Sequence, residues 1–145
     1  MNIKLVAIIQ CEKAKNRCSG YACSDSFYKK INSFSEYNNK TQYLSFTCGG
    51  CNGKGVGPKI SNLVRRMPKL ADIKKNEIAV HLSSCITFDN RHSDRCPNVD
   101  FMKSIINKAG IETIIEGSYI SKKAQIKREL GTYKKHEVNN ESRNK

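Results

Sequence analysis

An α/β fold, a single domain built on a parallel sheet of about four strands with flanking helices, is predicted by two observations. Short apolar runs, rich in β-branched residues, recur at residues 3–9, 41–47, 77–82 and 111–115. Stretches of helical period separate them, and this alternation is what parallel sheets with crossover helices produce. Right-handed crossovers and a strand order of 2-1-3-4 bring the carboxyl ends of all the strands to one edge, where open sheets of this kind bind ligands.

The first run, Ile3-Lys4-Leu5-Val6-Ala7-Ile8-Ile9, is continuous enough to be a central strand covered on both faces, and it ends at Cys11. After a lysine-rich turn with Cys18, Gly20 and Cys23, the spacing of Phe27, Ile31 and Phe34 predicts a helix with Ser24 or Asp25 as its N-cap. The second strand, residues 41–47, delivers Cys48-Gly49-Gly50-Cys51. Pro58 marks the start of a second helix with the stripe Ile60, Leu63, Val64 and Met67, which Pro68 is expected to end or kink.

The third strand, residues 77–82, leads to Cys85 and a polar loop with Arg91, His92 and Asp94. Cys96 and Pro97 then open a third helix with the stripe Val99, Met102, Ile105, Ile106 and Ala109, capped by Gly110. The fourth strand, residues 111–115, completes a domain expected over residues 1–120. Residues 121–145 read as a basic C-terminal helix and a disordered tail, with His136 solvated.

The net charge of +13 raises the question of a polyanionic partner, but the lysines are scattered and not interleaved with aromatics as on a nucleic-acid platform. The basic tail, with Lys122, Lys123, Lys127, Arg128, Lys134 and Lys135, is the one place where such a module is considered. The opening apolar run is too short to span a bilayer and has no cleavage pattern, so no membrane role and a cytoplasmic location are expected. In that setting seven cysteines point to metal ligation or thiol chemistry in preference to disulfides.

Five of the seven, Cys11, Cys48, Cys51, Cys85 and Cys96, sit at strand exits or a helix start, so the topology gathers them on the carboxyl edge. Cys96 as a helix N-cap would be acidified by the helix dipole, and the amides of Gly49 and Gly50 are placed to hold cysteine sulfurs. His92, four residues before Cys96, is a further candidate ligand, whereas His81, between apolar strand neighbours, reads as structural. A zinc ion or an iron–sulfur cluster fits such a donor set. A thiol-disulfide protein in which Cys48 attacks and Cys51 resolves is the alternative, although six residues separate Cys51 from Pro58 and the pair is not directly at a helix start. The loop from Gly53 to Lys59 is not a Walker A sequence, but its amides are available to an anion.

Cys11, Cys18-Ser19-Gly20, Cys23, Cys48-Gly49-Gly50-Cys51, Ser84-Cys85-Ile86, Arg95-Cys96-Pro97 and Ile115-Glu116-Gly117 together resemble the bacterial and archaeal CGGC domain proteins. The resemblance runs from about Lys4 to Gly117 and implies metal binding, with zinc the expected ion. Members often carry a histidine after the Cys-Pro pair and another after Glu-Gly, where this chain has Asn98 and Ser118-Tyr119. Cysteine is therefore the main ligand type expected here.

Overall fold

Why the strands fall where they do follows from burial. In a computed structural model, which describes residues 2–140, β1 (Leu5–Gln10) is buried along its whole length and lies between β2 (Gln42–Thr47) and β3 (Ile78–Leu82). β4 (Thr113–Glu116) completes a four-stranded, all-parallel sheet in the order 2-1-3-4. The expected order and fold class hold.

The strands alternate their side chains between two cores, as the pleat requires. Leu5, Ala7 and Ile9 face α3 (Val56–Ala71) and α5 (Val99–Lys108), joined there by Ile60, Leu63, Met102 and Ile106. Val6, Ile8 and Ala79 face the opposite way, onto Phe27 of α2 (Tyr21–Lys29) and Phe34 of a short 3-10 turn. Phe27 and Phe34 meet edge to face at 5.7 Å, and each is essentially inaccessible. Burying such a side chain contributes about 1.5–3 kcal/mol. Three single-turn or terminal helices complete the chain: α1 (Glu12–Lys15), α4 (Ser84–Thr87) and α6 (Lys122–Glu129).

Several helix boundaries differ from the sequence reading. α2 starts at Tyr21 after Gly20, whose φ of 83° only glycine adopts readily, so neither Ser24 nor Asp25 is the cap. Asp25 instead pairs with Lys29 one turn on, at 3.0 Å. α3 starts at Val56, so Pro58 sits within the first turn, where an amide would lack an intrahelical partner anyway. It also continues through Pro68 to Ala71: the proline withholds one hydrogen bond near the helix end, while Leu63, Val64 and Met67 pack on the core.

α5 starts at Val99 with Asn98 as its N-cap, so Cys96 lies before the helix and is not its cap. The tail is not a free arm through residue 140. Arg128 of α6 is buried, Lys134 N donates to Asp89 Oδ2 (3.1 Å), and His136, expected in solvent, bonds Asp89 Oδ1 at 2.7 Å. Glu116 N donates to Asn140 Oδ1 (2.7 Å), so the expected disorder does not extend to Asn139 and Asn140, while residues 141–145 lie outside the described residues. Among the described residues no helix is long and apolar enough to cross a membrane.

Candidate metal centre

The turn after β2 is shaped by glycines pressed against each other. Cys48 N donates to Gln10 O (2.9 Å), extending the β1–β2 ladder, and Gly49 and Gly50 then take φ values of 77° and 133°. A Cβ on Gly55 would lie 2.6 Å from the Cys48 carbonyl oxygen, and one on Gly49 would lie 2.8 Å from Gly55 Cα. The chain therefore folds back so that Gly55 rests on Cys48. Gly55 itself has an ordinary helical φ of −68°, so its replacement by alanine tests the contact alone. Gly55→Ala is expected to cost about 1–3 kcal/mol in denaturant unfolding, because a backbone atom must yield.

Within this turn Cys48 is buried and Cys51 is exposed. The amide that reaches Cys48 Sγ is that of Glu12 (3.5 Å), while Gly50 accepts from the thiol through its carbonyl oxygen at 3.5 Å. Gly49 and Gly50 thus set the course of the backbone, and the amide donor comes from the neighbouring strand's exit. Glu12 also accepts from Thr47 Oγ1 (2.6 Å), and Lys59 donates to Thr47 O (2.8 Å), tying α1, β2 and α3 together beside the cysteines.

Cys96 packs on the same core as Cys48 and is positioned from the segment that follows α4. Its amide donates to Ile86 O (2.7 Å), and its sulfur accepts from Asn98 N (3.4 Å). The Asn98 side-chain amide donates to the Cys51 carbonyl, joining the two cysteine segments directly. Arg95, immediately before Cys96, is fixed by a buried carboxylate: Glu116 Oε1 takes Arg95 Nη1 at 2.5 Å and Glu116 Oε2 takes Lys103 Nζ at 2.7 Å. Burial opposes the charge on Glu116, but the hydrogen bonds from Arg95 and Lys103 outweigh it and hold the carboxyl below its ordinary pKa.

Burial raises the Cys96 thiol pKa, the Asn98 amide works against that rise, and the neighbouring charges of Cys48, Cys11 and Cys51 add to it. These four cysteines come from three segments: the exit of β1 (Cys11), the turn after β2 (Cys48 and Cys51) and the loop before α5 (Cys96). The dipole-acidified Cys96 expected from sequence is replaced by one whose pKa is raised.

Cys85 faces a different way. Its sulfur accepts from Cys11 N (3.3 Å) and lies 2.7 Å from Ser83 Oγ, and burial pushes its thiol up to about 11. It lines a cavity of about 420 Å³ together with Cys18, Cys23 and His92. Cys23 Sγ is 3.2 Å from Ser118 Oγ, and Cys18 Sγ accepts from Gly20 N (3.4 Å). Sequence reasoning gave these two thiols no role, since neither directly follows a strand; the cue available was their place in the turn before α2.

His92 Nδ1 accepts from Arg17 Nη2 (3.3 Å), and because a guanidinium only donates, its proton is on Nε2. Burial, with Arg91 and Arg17 nearby, lowers its pKa. Among the described residues, no group of three or more histidine, cysteine, aspartate or glutamate side chains is arranged so that it could hold a metal ion. His81 is wholly buried: its Nδ1–H donates to Gly117 O (2.8 Å) and its Nε2 lies 2.7 Å from the Tyr37 hydroxyl. Those bonds agree with its reading as a structural residue.

Comparison with curated proteins and with solved structures returns no match. The sequence model described as CGGC domain, by contrast, matches residues 5–119, which include all seven cysteines and the strands that carry them. The chain belongs to the CGGC domain family, for which a metal-binding role is suggested.

Proposed function

We propose that this protein binds a thiophilic metal through Cys11, Cys48, Cys51 and Cys96, with zinc as the first candidate and an iron–sulfur cluster as the second. The observation that carries the reading is the pair of hydrogen-bond links between the cysteine segments: Asn98, whose amide serves Cys96 Sγ, bonds the Cys51 carbonyl, and Glu12, next to Cys11, gives its amide to Cys48 Sγ. The donors suit the group chemically: four sulfurs match a tetrahedral zinc site or a cluster, and two of them already accept backbone amides.

Cys85 is left out of the set because its sulfur is engaged by Cys11 N and Ser83 Oγ and lines the separate cavity. His92 is left out because its Nδ1 is taken by Arg17 and its Nε2 carries the proton. Bound zinc supplies structural closure of the turn. The chain's own part is to present the thiols, to orient Cys96 through Arg95 and Glu116, and to shield Cys48 from solvent.

Elemental mass spectrometry on protein purified without chelator tests this. Near-stoichiometric zinc, or iron with matching sulfide, is expected in the native chain. Cys48→Ser and Cys96→Ser are expected to lower occupancy about tenfold or more, while Cys18→Ser leaves it unchanged. Full occupancy in both of the first two variants would sink the proposal.

A thiol-disulfide reading is favoured by one observation, the contrast in exposure within the pair. It reverses the expected roles: Cys51, the accessible thiol, attacks a disulfide as its thiolate and releases the partner's thiolate, and Cys48 then displaces the second half from the mixed disulfide. Metal-free native protein that exchanges disulfides, with the activity lost in Cys51→Ser, would support it over metal binding.

A further inference from the structure

We propose that the cavity beside Cys85 is a binding site for a small molecule carrying two or more phosphate charges. It lies at the carboxyl edge of the sheet, since its wall includes Gln10 at the end of β1, Ser84 after β3 and Ser118 after β4. This is where parallel open sheets hold ligands, and about 420 Å³ is ample for a small organic phosphate.

The charges around it have one sign. Lys15, Arg91, Lys123, Lys127 and Arg128 all line the cavity, and no aspartate or glutamate does. The acid nearest in the network, Asp89, is occupied by Arg95 N (2.9 Å), Lys134 N (3.1 Å) and His136 Nε2 (2.7 Å), so its carboxylate is not free to neutralise them. Cations drawn from α1, the loop after α4, and α6 repel one another, and that repulsion is relieved by an anion between them.

Arg128 is the cation of this set that the fold holds in place. It is only 8% exposed, its Nη2 donates to Asp89 O (2.9 Å) and its Nη1 to Gln125 Oε1 (2.9 Å), yet its buried Nε has no hydrogen-bond partner among the described residues. That Nε is closed to solvent and the guanidinium carbon lies 5.0 Å from the centre of the Phe88 ring, so Arg128 contributes fixed positive charge to the wall. Ser84, Ser118 and Ser121 add hydroxyl groups to the same wall, and His92 presents an Nε2–H donor. The volume beyond the cations leaves room for an organic group next to the phosphates.

Isothermal titration of the full chain with inorganic pyrophosphate is the test, since net charge alone would attract any polyanion. One site per chain is expected at moderate salt. Charge reversal inside the cavity, in Lys123→Glu with Lys127→Glu and separately in Arg91→Glu, is expected to weaken binding about tenfold or more. Reversal of the exposed Lys69 on α3, as Lys69→Glu, is expected to change it less than about twofold, as screening allows. The reversed side chains are exposed, so these variants should fold, and a melting curve for each checks that. Absence of pyrophosphate binding, or equal weakening by Lys69→Glu and the cavity variants, overturns the proposal.

Discussion

Glu116→Gln is expected to destabilise the protein by about 3–5 kcal/mol, the cost of leaving buried charge without its partner. The carboxylate side chain is fully inaccessible, and it is the counter-ion of both Arg95 and Lys103. Glutamine keeps the shape and one acceptor but removes the charge, so two cations remain with only Thr87 O and Asn139 O as further acceptors. Urea unfolding measures the loss, and a change below about 1 kcal/mol would contradict this account, since exposed pairs rarely exceed that. A triple replacement of Glu116, Arg95 and Lys103 by methionine should recover much of the loss, because apolar packing can stand in for a buried ion pair. The pH dependence has a definite sign. The folded-state pKa of Glu116 is lowered, so its contribution is complete above the ordinary value of 4.5 and is lost as pH falls below that through the folded value. Because Arg95 precedes Cys96, the same variant should also displace that thiol and weaken metal binding in parallel.

A second acid-sensitive element lies on the neighbouring strand β3. Burial lowers the pKa of His81 from 6.5 to about 4, with the Gly117 carbonyl working weakly in the other direction. Between those values the unfolded chain binds a proton that the folded chain refuses, so stability is fully present above pH 6.5, declines as pH falls, and levels off below about 4. At 1.36 kcal/mol per pKa unit the loss is about 3 kcal/mol. Unfolding free energies measured from pH 7 to pH 4 should show this slope, and in His81→Phe the slope should largely vanish while the carboxylate-driven loss at lower pH remains. An unchanged slope in that variant would assign the effect elsewhere. Tyr37 and Phe34 enclose the ring, at centroid distances of 5.6 and 4.8 Å, so there is no room for water to solvate an imidazolium.

The sheet was legible because each strand is a short apolar run that nothing else explains, and the handedness of crossovers left one natural order. The same logic found Cys11, Cys48, Cys51 and Cys85 at strand exits. Cys96 was expected as a helix cap: Pro97 is a common first helical residue, yet here Asn98 is the cap and the proline lies before it. Pro68 misled in the opposite direction, since packing of the apolar stripe outweighs one missing hydrogen bond near a helix end. Cys18 and Cys23 had no strand to announce them. Their position depends on how α1 and α2 fold back over the sheet edge, a long-range outcome with no local sequence signature. The tail misled through composition alone, since a basic, polar segment reads as solvated until Asp89 and Glu116 are seen to anchor it.

The family match ends at residue 119, whereas the cavity takes Lys123, Lys127 and Arg128 from beyond it. Lys15 and Arg91 lie inside the matched residues among the thiols, and the other three cations are carried by α6. Such a division lets selection retune what enters the cavity by rewriting a terminal segment, with no change to the cysteine rim. A swapped tail would be the natural unit for redirecting this domain toward a different small molecule.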